Sequence, residues 1–213
     1  PCAAIQADLS KSDEVRNLLE QIRRDFQRLD VLVNNVGRST RGRAIDVDPD
    51  QFQEFWEANF LSAVHCTQQA YPLLKESQGS IVFIGSLASK MASPFLGAYP
   101  ASKFPLAAYA QQLRLELEPD NIHVLLVCPG PLRRDDAGER YAAEAKDLPA
   151  SASRPGGGVR IRGLDPQMVA QRIVQACRRK TPELILPGKA RLLLAISALF
   201  PSWGDWLIKR YTR

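Results

Sequence analysis

Histidine is nearly missing from this 213-residue chain, which has only His65 and His123, and cysteine is thin, with Cys2, Cys66, Cys128 and Cys177 scattered along it. Neither set has the short spacings of a metal site, so no metal is expected, and two isolated histidines leave no basis for a His-centred triad. His123 reads as a polar residue at a strand end. The scattered cysteines form no disulfide framework and suit buried thiols in a reducing, cytoplasmic setting. The chain also lacks a long apolar run: the stretch 192–200 has nine residues, where a bilayer span needs about 20. No nucleic-acid-binding module is recognisable among the basic residues, so nucleic acid is not an expected partner.

What is present suits one globular α/β unit. The chain is 45% hydrophobic and long enough to bury a sizeable core. Apolar runs at residues 2–8, 31–33, 80–86, 122–127 and 183–186 read as strands, and helical patterns alternate with them. Val15, Leu18, Leu19, Ile22 and Phe26 mark one helix stripe, with Ser12 as its N-cap. Asp48 followed by Pro49 opens a long helix expected to run to about Lys75, with Gln51 placed for a capping box. Phe52, Phe55, Trp56 and Phe60 give that helix an aromatic face suited either to core packing or to a second subunit. A further helix is expected from Tyr99 to about Leu117, and another over residues 169–176. Residues 1–190 form the expected catalytic domain and 191–213 a separate apolar and basic tail.

Tyr99 and Lys103 stand four residues apart and so share a helix face. A free phenol titrates near pH ~10. An adjacent ammonium favours the phenolate, which moves the tyrosine toward useful acid–base chemistry. Ser86 closes the apolar strand beginning at Ser80, and a hydroxyl at the C-terminal end of a buried parallel strand lies where ligands bind in open α/β sheets.

With these residues in place the chain resembles the short-chain dehydrogenase/reductase family, over residues 1 to about 190. The resemblance implies a Rossmann-like, doubly wound parallel sheet. It implies Tyr99 as catalytic acid/base, Lys103 as its electrostatic partner and ribose ligand, Ser86 as the group orienting a carbonyl, and Asn59 as the holder of a relay water. Asn34, Asn35, Val36 and Gly37 resemble the family's Asn-Asn-Ala-Gly run, from which Asn34 and Gly37 are implied cofactor contacts. Asp8 and Leu9 resemble the adenine-side pair, and Pro129, Gly130 and the following Leu132 the turn against the nicotinamide. The implied cofactor is NAD(P)(H), with a slight preference for NADP(H), and the implied assembly is a homo-oligomer through the long helices. Residues 133–162, with Ala137, Gly138 and a glycine run at 156–158, correspond to a mobile substrate lid.

The family pattern is broken in places. Val36 replaces an alanine, Arg134 stands where a threonine is usual, and Pro105 lies one turn inside the Tyr99 helix, where proline removes a donor. The family's glycine-rich turn has no counterpart, and the run 2–8 reads as the third strand, so the sheet is expected to lack its first two strands. Residues 160–213 carry eleven Lys/Arg against three Asp/Glu, beside the apolar tail and two tryptophans. Such a composition suits peripheral contact with an anionic membrane surface.

The expected function is interconversion of a small-molecule carbonyl and a secondary alcohol, on a lipophilic substrate such as a steroid, retinoid or acyl chain. The alternatives are a non-catalytic scaffold of the same family and an epimerase or dehydratase of the same fold. With strand 31–33 left as an unpaired edge, the 213-residue chain is expected to be unstable and to bind dinucleotide weakly. A monomeric, cooperatively unfolding preparation with micromolar NADPH affinity would contradict this.

Overall fold

The computed structural model describes residues 2–135, 139–158 and 163–212. Among these, four strands form one parallel sheet in the order β1 (Val31–Asn34), β2 (Ser80–Ile84), β3 (His123–Pro129) and β4 (Glu183–Leu186). The register pairs Val31 with Ser80, Ser80 with His123 and Leu126 with Glu183. β2 is apolar after Ser80 and β3 after His123 because helices cover both faces, as buried parallel strands require.

On one face lie α1 (Ser12–Phe26), α3 (Ser62–Ser77) and α4 (Tyr99–Glu116), packed over Ile81, Phe83, Val124, Leu126 and Cys128. On the other, α5 (Pro166–Arg178) covers Val82, Leu125 and Val127 through Ile173 and Ala176. The side-chain period of two therefore divides each strand between two cores. Because the strands run parallel, their C-terminal ends collect at one edge, and the connecting loops there carry the candidate chemistry.

Several local expectations change. Residues 2–8 form no strand and pair with none of the four strands of the sheet. β1 is an edge strand, with Val31 44% and Val33 49% exposed. Lys11, not Ser12, occupies the N-cap of α1 and makes no side-chain cap. Asp48 caps α2 (Pro49–Trp56) as expected, accepting from the Asp50 amide at 2.9 Å, with no capping box among the described bonds. The long helix runs on as expected, with a π-helical turn, Glu57–Leu61, inserted between α2 and α3. Within the aromatic face Phe55 is buried, Phe60 meets Tyr109 edge-on, and Trp56 stays exposed. Pro105 leaves α4 unbroken; the freed acceptor is the carbonyl of Ala101, which is exposed.

The C-terminal segment is two helices, α6 (Ala190–Leu199) and α7 (Pro201–Thr212), folded against each other. Gly204 permits the close approach, since a Cβ there would lie 2.6 Å from Ser197. The expected Ala137 and Gly138 of the lid, and Asp136 beside them, lie outside the described residues.

Candidate active site

Each candidate catalytic side chain is delivered by a different element. Lys103 reaches from the second turn of α4 to the end of β2, where Nζ donates to the Ile84 carbonyl at 3.2 Å, and the residue is only 4% exposed. Asn59 is held by the π-helical turn, a feature that recurs at functional sites because the extra residue re-aims a side chain inward. Its Oδ1 accepts from the Arg38 amide at 2.8 Å, while Nδ2 donates to the Arg38 carbonyl at 2.9 Å and to Ser102 Oγ at 2.7 Å. Both amide hydrogens are thereby used, and one Oδ1 lone pair remains. Ser102 in turn donates to the Tyr99 carbonyl at 2.8 Å, tying the start of α4 to Asn59.

Gly37 fits this arrangement for a steric reason. A Cβ at that position would lie 2.7 Å from Asn59 Oδ1 and 2.8 Å from Lys103 Nζ, so only glycine lets both groups meet the loop after β1. Ser86 ends β2 as the N-cap of a short 3₁₀ turn, its Oγ accepting from the Ala88 amide at 3.1 Å while Ser89 Oγ accepts from the Ser86 amide. The same hydroxyl lies close enough to Tyr99 to draw its pKa downward.

Tyr99, Lys103, Ser86 and Gly37 line one cavity of about 940 Å³, with Pro129, Gly130 and Leu132 at its sheet end. Leu96, Leu193, Ile196, Leu207 and Ile208 form an apolar wall opposite. Asp8 and Leu9 border a second hollow beside Val36 and Arg38. Asn34 is among the lining residues of neither: its amide donates to Thr67 Oγ1 on α3 at 3.1 Å, and Asn35 faces the main cavity instead. Arg134 also lines the main cavity, whereas Arg133 turns away to pair with Asp165 at 3.1 Å. Asn35, Ser102, Arg41 and Tyr141 belong to the site without having been singled out from sequence. Of these, only Asn35 and Ser102 lay inside motifs already noted.

The electrostatics differ from the sequence expectation. Burial pushes the Tyr99 phenol above its ordinary range, and the nearby Tyr141 and Cys128 push the same way. The Ser86 hydroxyl and the Arg41 charge oppose it without outweighing the burial. Desolvation outweighs the expected help from the ammonium, because the enclosure that brings the two together also removes the water that would solvate a phenolate. Burial acts on Lys103 in the other direction, lowering its pKa from 10.5 to about 8.

The parallel sheet, with its loops gathered at one edge, defines a Rossmann-like α/β fold. A structure titled a short-chain dehydrogenase from Streptomyces avermitilis superposes with a TM-score of 0.76 at 24% identity, covering 99% of this chain and 81% of that one. The short chain dehydrogenase family profile matches residues 1–145. The probable short-chain type dehydrogenase/reductase VdlC of Helicobacter pylori is 32% identical over 98% of this chain and 80% of its own length. Dehydrogenase/reductase SDR family member 7B of Bos taurus is 30% identical over 87% of this chain and 56% of its own. The 11-beta-hydroxysteroid dehydrogenase A of Sesamum indicum is 35% identical over 64% of this chain and 41% of its own. The chain belongs to the short-chain dehydrogenase/reductase family, and it spans less than two thirds of the length of several of these relatives.

The residues present fit the nicotinamide end of the family's cofactor. Gly37 leaves a surface a side chain would fill, and Pro129, Gly130 and Leu132 face Tyr99 and Lys103 across the same cavity.

Lys103 also yields a stability prediction. With the folded pKa near 8 and the unfolded one near 10.5, the unfolded chain holds the extra proton between those values, so stability rises with pH across that window. Below pH 8 the full cost of the buried charge is present, about 3 kcal/mol. Lys103→Met removes that cost but also the bond to Ile84, so unfolding at pH 7 is expected about 4–8 °C higher, for a net gain of about 2 kcal/mol. Thermal melts at pH 7 and pH 10.5 should show the gain shrinking at the higher pH; an equal gain at both would contradict it.

Proposed function

We propose that this chain carries the catalytic centre of an NAD(P)(H)-dependent enzyme interconverting a carbonyl and a secondary alcohol. The observation that carries the reading is the convergence of Tyr99, Ser86 and Lys103 on one cavity with an apolar wall. The cofactor supplies or accepts hydride at the substrate carbon. Lys103, Gly37, Asn35, Pro129, Gly130 and Leu132 would hold its nicotinamide end, with Asp8 and Leu9 toward the adenine. NADP(H) is the slightly favoured form.

In the reducing direction Tyr99 gives its phenolic proton to the carbonyl oxygen, and Ser86 Oγ donates a hydrogen bond to the same oxygen. A high phenol pKa keeps Tyr99 protonated and ready as an acid at neutral pH. The Lys103 ammonium, charged below about pH 8, offsets the negative charge left on the phenol. The free lone pair of Asn59 Oδ1 holds a water that returns a proton from solvent. Tyr99→Phe is expected to lower ketone-dependent NAD(P)H oxidation about 10²–10⁴-fold while leaving dinucleotide binding intact. Undiminished turnover would refute the assignment, and substrate conversion without net NAD(P)H consumption would favour an epimerase or dehydratase.

The apolar wall favours a lipophilic substrate, and the outer surface of the same helices favours a peripheral site on anionic lipid. No helix among the described residues is long and apolar enough to cross a membrane. Leu199, Trp203 and Trp206 are 73%, 70% and 58% exposed, with Lys209 and Arg210 in the last turn of α7. Aromatic and basic residues of this kind seat a helix at a lipid interface. Because α6 and α7 also wall the cavity, point variants test this better than truncation. Trp203→Glu with Trp206→Glu should abolish co-sedimentation with phosphatidylserine vesicles and leave soluble-ketone turnover unchanged; equal pelleting would remove the membrane site.

A further inference from the structure

The cavity contains a buried cation that the carbonyl–alcohol reaction does not call for. Arg41, in the loop between β1 and α2, is 6% exposed. A guanidinium removed from water is tolerated only where its donors are satisfied. Here Nε donates to the Ala152 carbonyl at 2.7 Å, Nη1 to the Thr40 carbonyl at 2.8 Å, and Nη2 to the Arg154 carbonyl at 3.3 Å. Two of these three acceptors belong to the segment 139–158, more than 100 residues along the chain.

The same segment grips the loop in return. Glu144 Oε2 accepts from the Arg41 amide at 2.7 Å and from Thr40 Oγ1 at 2.8 Å. The Tyr141 ring lies flat against the guanidinium, 3.6 Å from Cζ to the ring centroid, and its hydroxyl is hydrogen-bonded to Ser39. Gly157 completes the seating: at φ +69°, with a Cβ position 2.9 Å from the Pro94 carbonyl, it admits no other residue without displacement. Tyr141, Ser153, Pro155 and Gly156 thereby become part of the cavity wall facing Tyr99.

We propose that Arg41 is a positioning residue that latches segment 139–158 over the cavity and so fixes the closed arrangement in which Tyr99 meets its substrate. This rests on the oxidoreductase reading for its catalytic consequence, but the latch itself does not. Its charge reaches the reaction as well. Arg41, Tyr141, Cys128 and the Ser86 hydroxyl act on Tyr99, and Lys103 and Arg134 line the same cavity, so Arg41 is one of the cations around the phenol. The groups facing Arg41 are Tyr141, Glu144 and Tyr99, with Arg140 5.7 Å from the far side of the Tyr141 ring. Closing the segment therefore places a desolvated positive charge near the phenol, favouring its loss of a proton, and opening it withdraws that charge.

The test compares Arg41→Met, Arg41→Lys and Glu144→Ala in the full chain, by hydrogen–deuterium exchange and by the pH dependence of ketone reduction. Arg41→Met should raise exchange in 139–158 at least tenfold with β2 and β3 unchanged. It should raise KM more than it lowers kcat, and move the alkaline limb of the pH profile upward, since the phenol then holds its proton more tightly. Arg41→Lys keeps the charge without the planar fork, so it should lose protection yet move the limb less than Arg41→Met does. If Arg41→Met fails to fold, Glu144→Ala should raise exchange in 139–158 about threefold by loosening the same clasp. Unchanged exchange in 139–158 in every folded variant would overturn the latch, whatever the activity. Lost protection with an unmoved alkaline limb in Arg41→Met would overturn the electrostatic part. Exchange behaving as described in a protein with no carbonyl reduction would sustain the latch and instead defeat the proposed reaction.

Discussion

A lysine ammonium held almost out of water, one carbonyl from the end of a strand, is the constraint on which the rest of this site depends. Lys103 is 4% exposed and its described hydrogen bond goes to Ile84. Such a group raises the free energy of the folded chain unless something offsets it. The surrounding structure is arranged to tolerate it: Asn59 is turned inward by a π-helical turn, and Gly37 gives up its side chain so that both can approach one loop. Placing a charge where it costs stability is what a site does when that charge serves a reaction more than a fold.

The cost is spread over distant parts of the chain. β2 supplies the Ile84 carbonyl and the turn after it Ser86, α4 supplies Tyr99 and Lys103, and the end of β3 supplies Pro129 with Gly130 following. The segment 139–158 and the α6–α7 pair close the outer side. Neither of these outer pieces belongs to the sheet, and together they decide how dry the phenol becomes. A dry phenol holds its proton, so it is present in the acid form at neutral pH, but the same enclosure makes it a more reluctant donor unless nearby charge offsets the burial. Cationic neighbours set where that balance falls, and Arg41 enters it only because the lid carbonyls hold it in place.

Much of this was legible in the sequence, for identifiable reasons. Buried parallel strands announce themselves as short unbroken apolar runs, and four of the five runs read that way are strands. The fifth, residues 2–8, shows that apolar character licenses a strand only where a neighbour offers a ladder. Tyr99 and Lys103 could be paired because helical spacing is local. Asn59's inward turn could not, since nothing in its neighbours marks a π-helical residue. Arg41 escaped for a different reason: two of its three acceptors are backbone carbonyls more than 100 residues away. The tail read as a separate element because its composition is distinctive; its contribution to the cavity wall depends on the Gly204–Ser197 contact, visible only once folded. The sign of the Tyr99 shift was misread because proximity to an ammonium was weighed without the desolvation that accompanies it.

The direct measurement is an NMR titration of Lys103, using protein labelled with ¹³C at lysine Cε and the signal assigned through Lys103→Arg. A midpoint close to pH 8, well below that of the other lysines, is the result expected of an ammonium enclosed with the phenol in one dry cavity. A midpoint near the ordinary 10.5 would mean that water reaches the group freely, and the enclosure on which the site has been built would not exist.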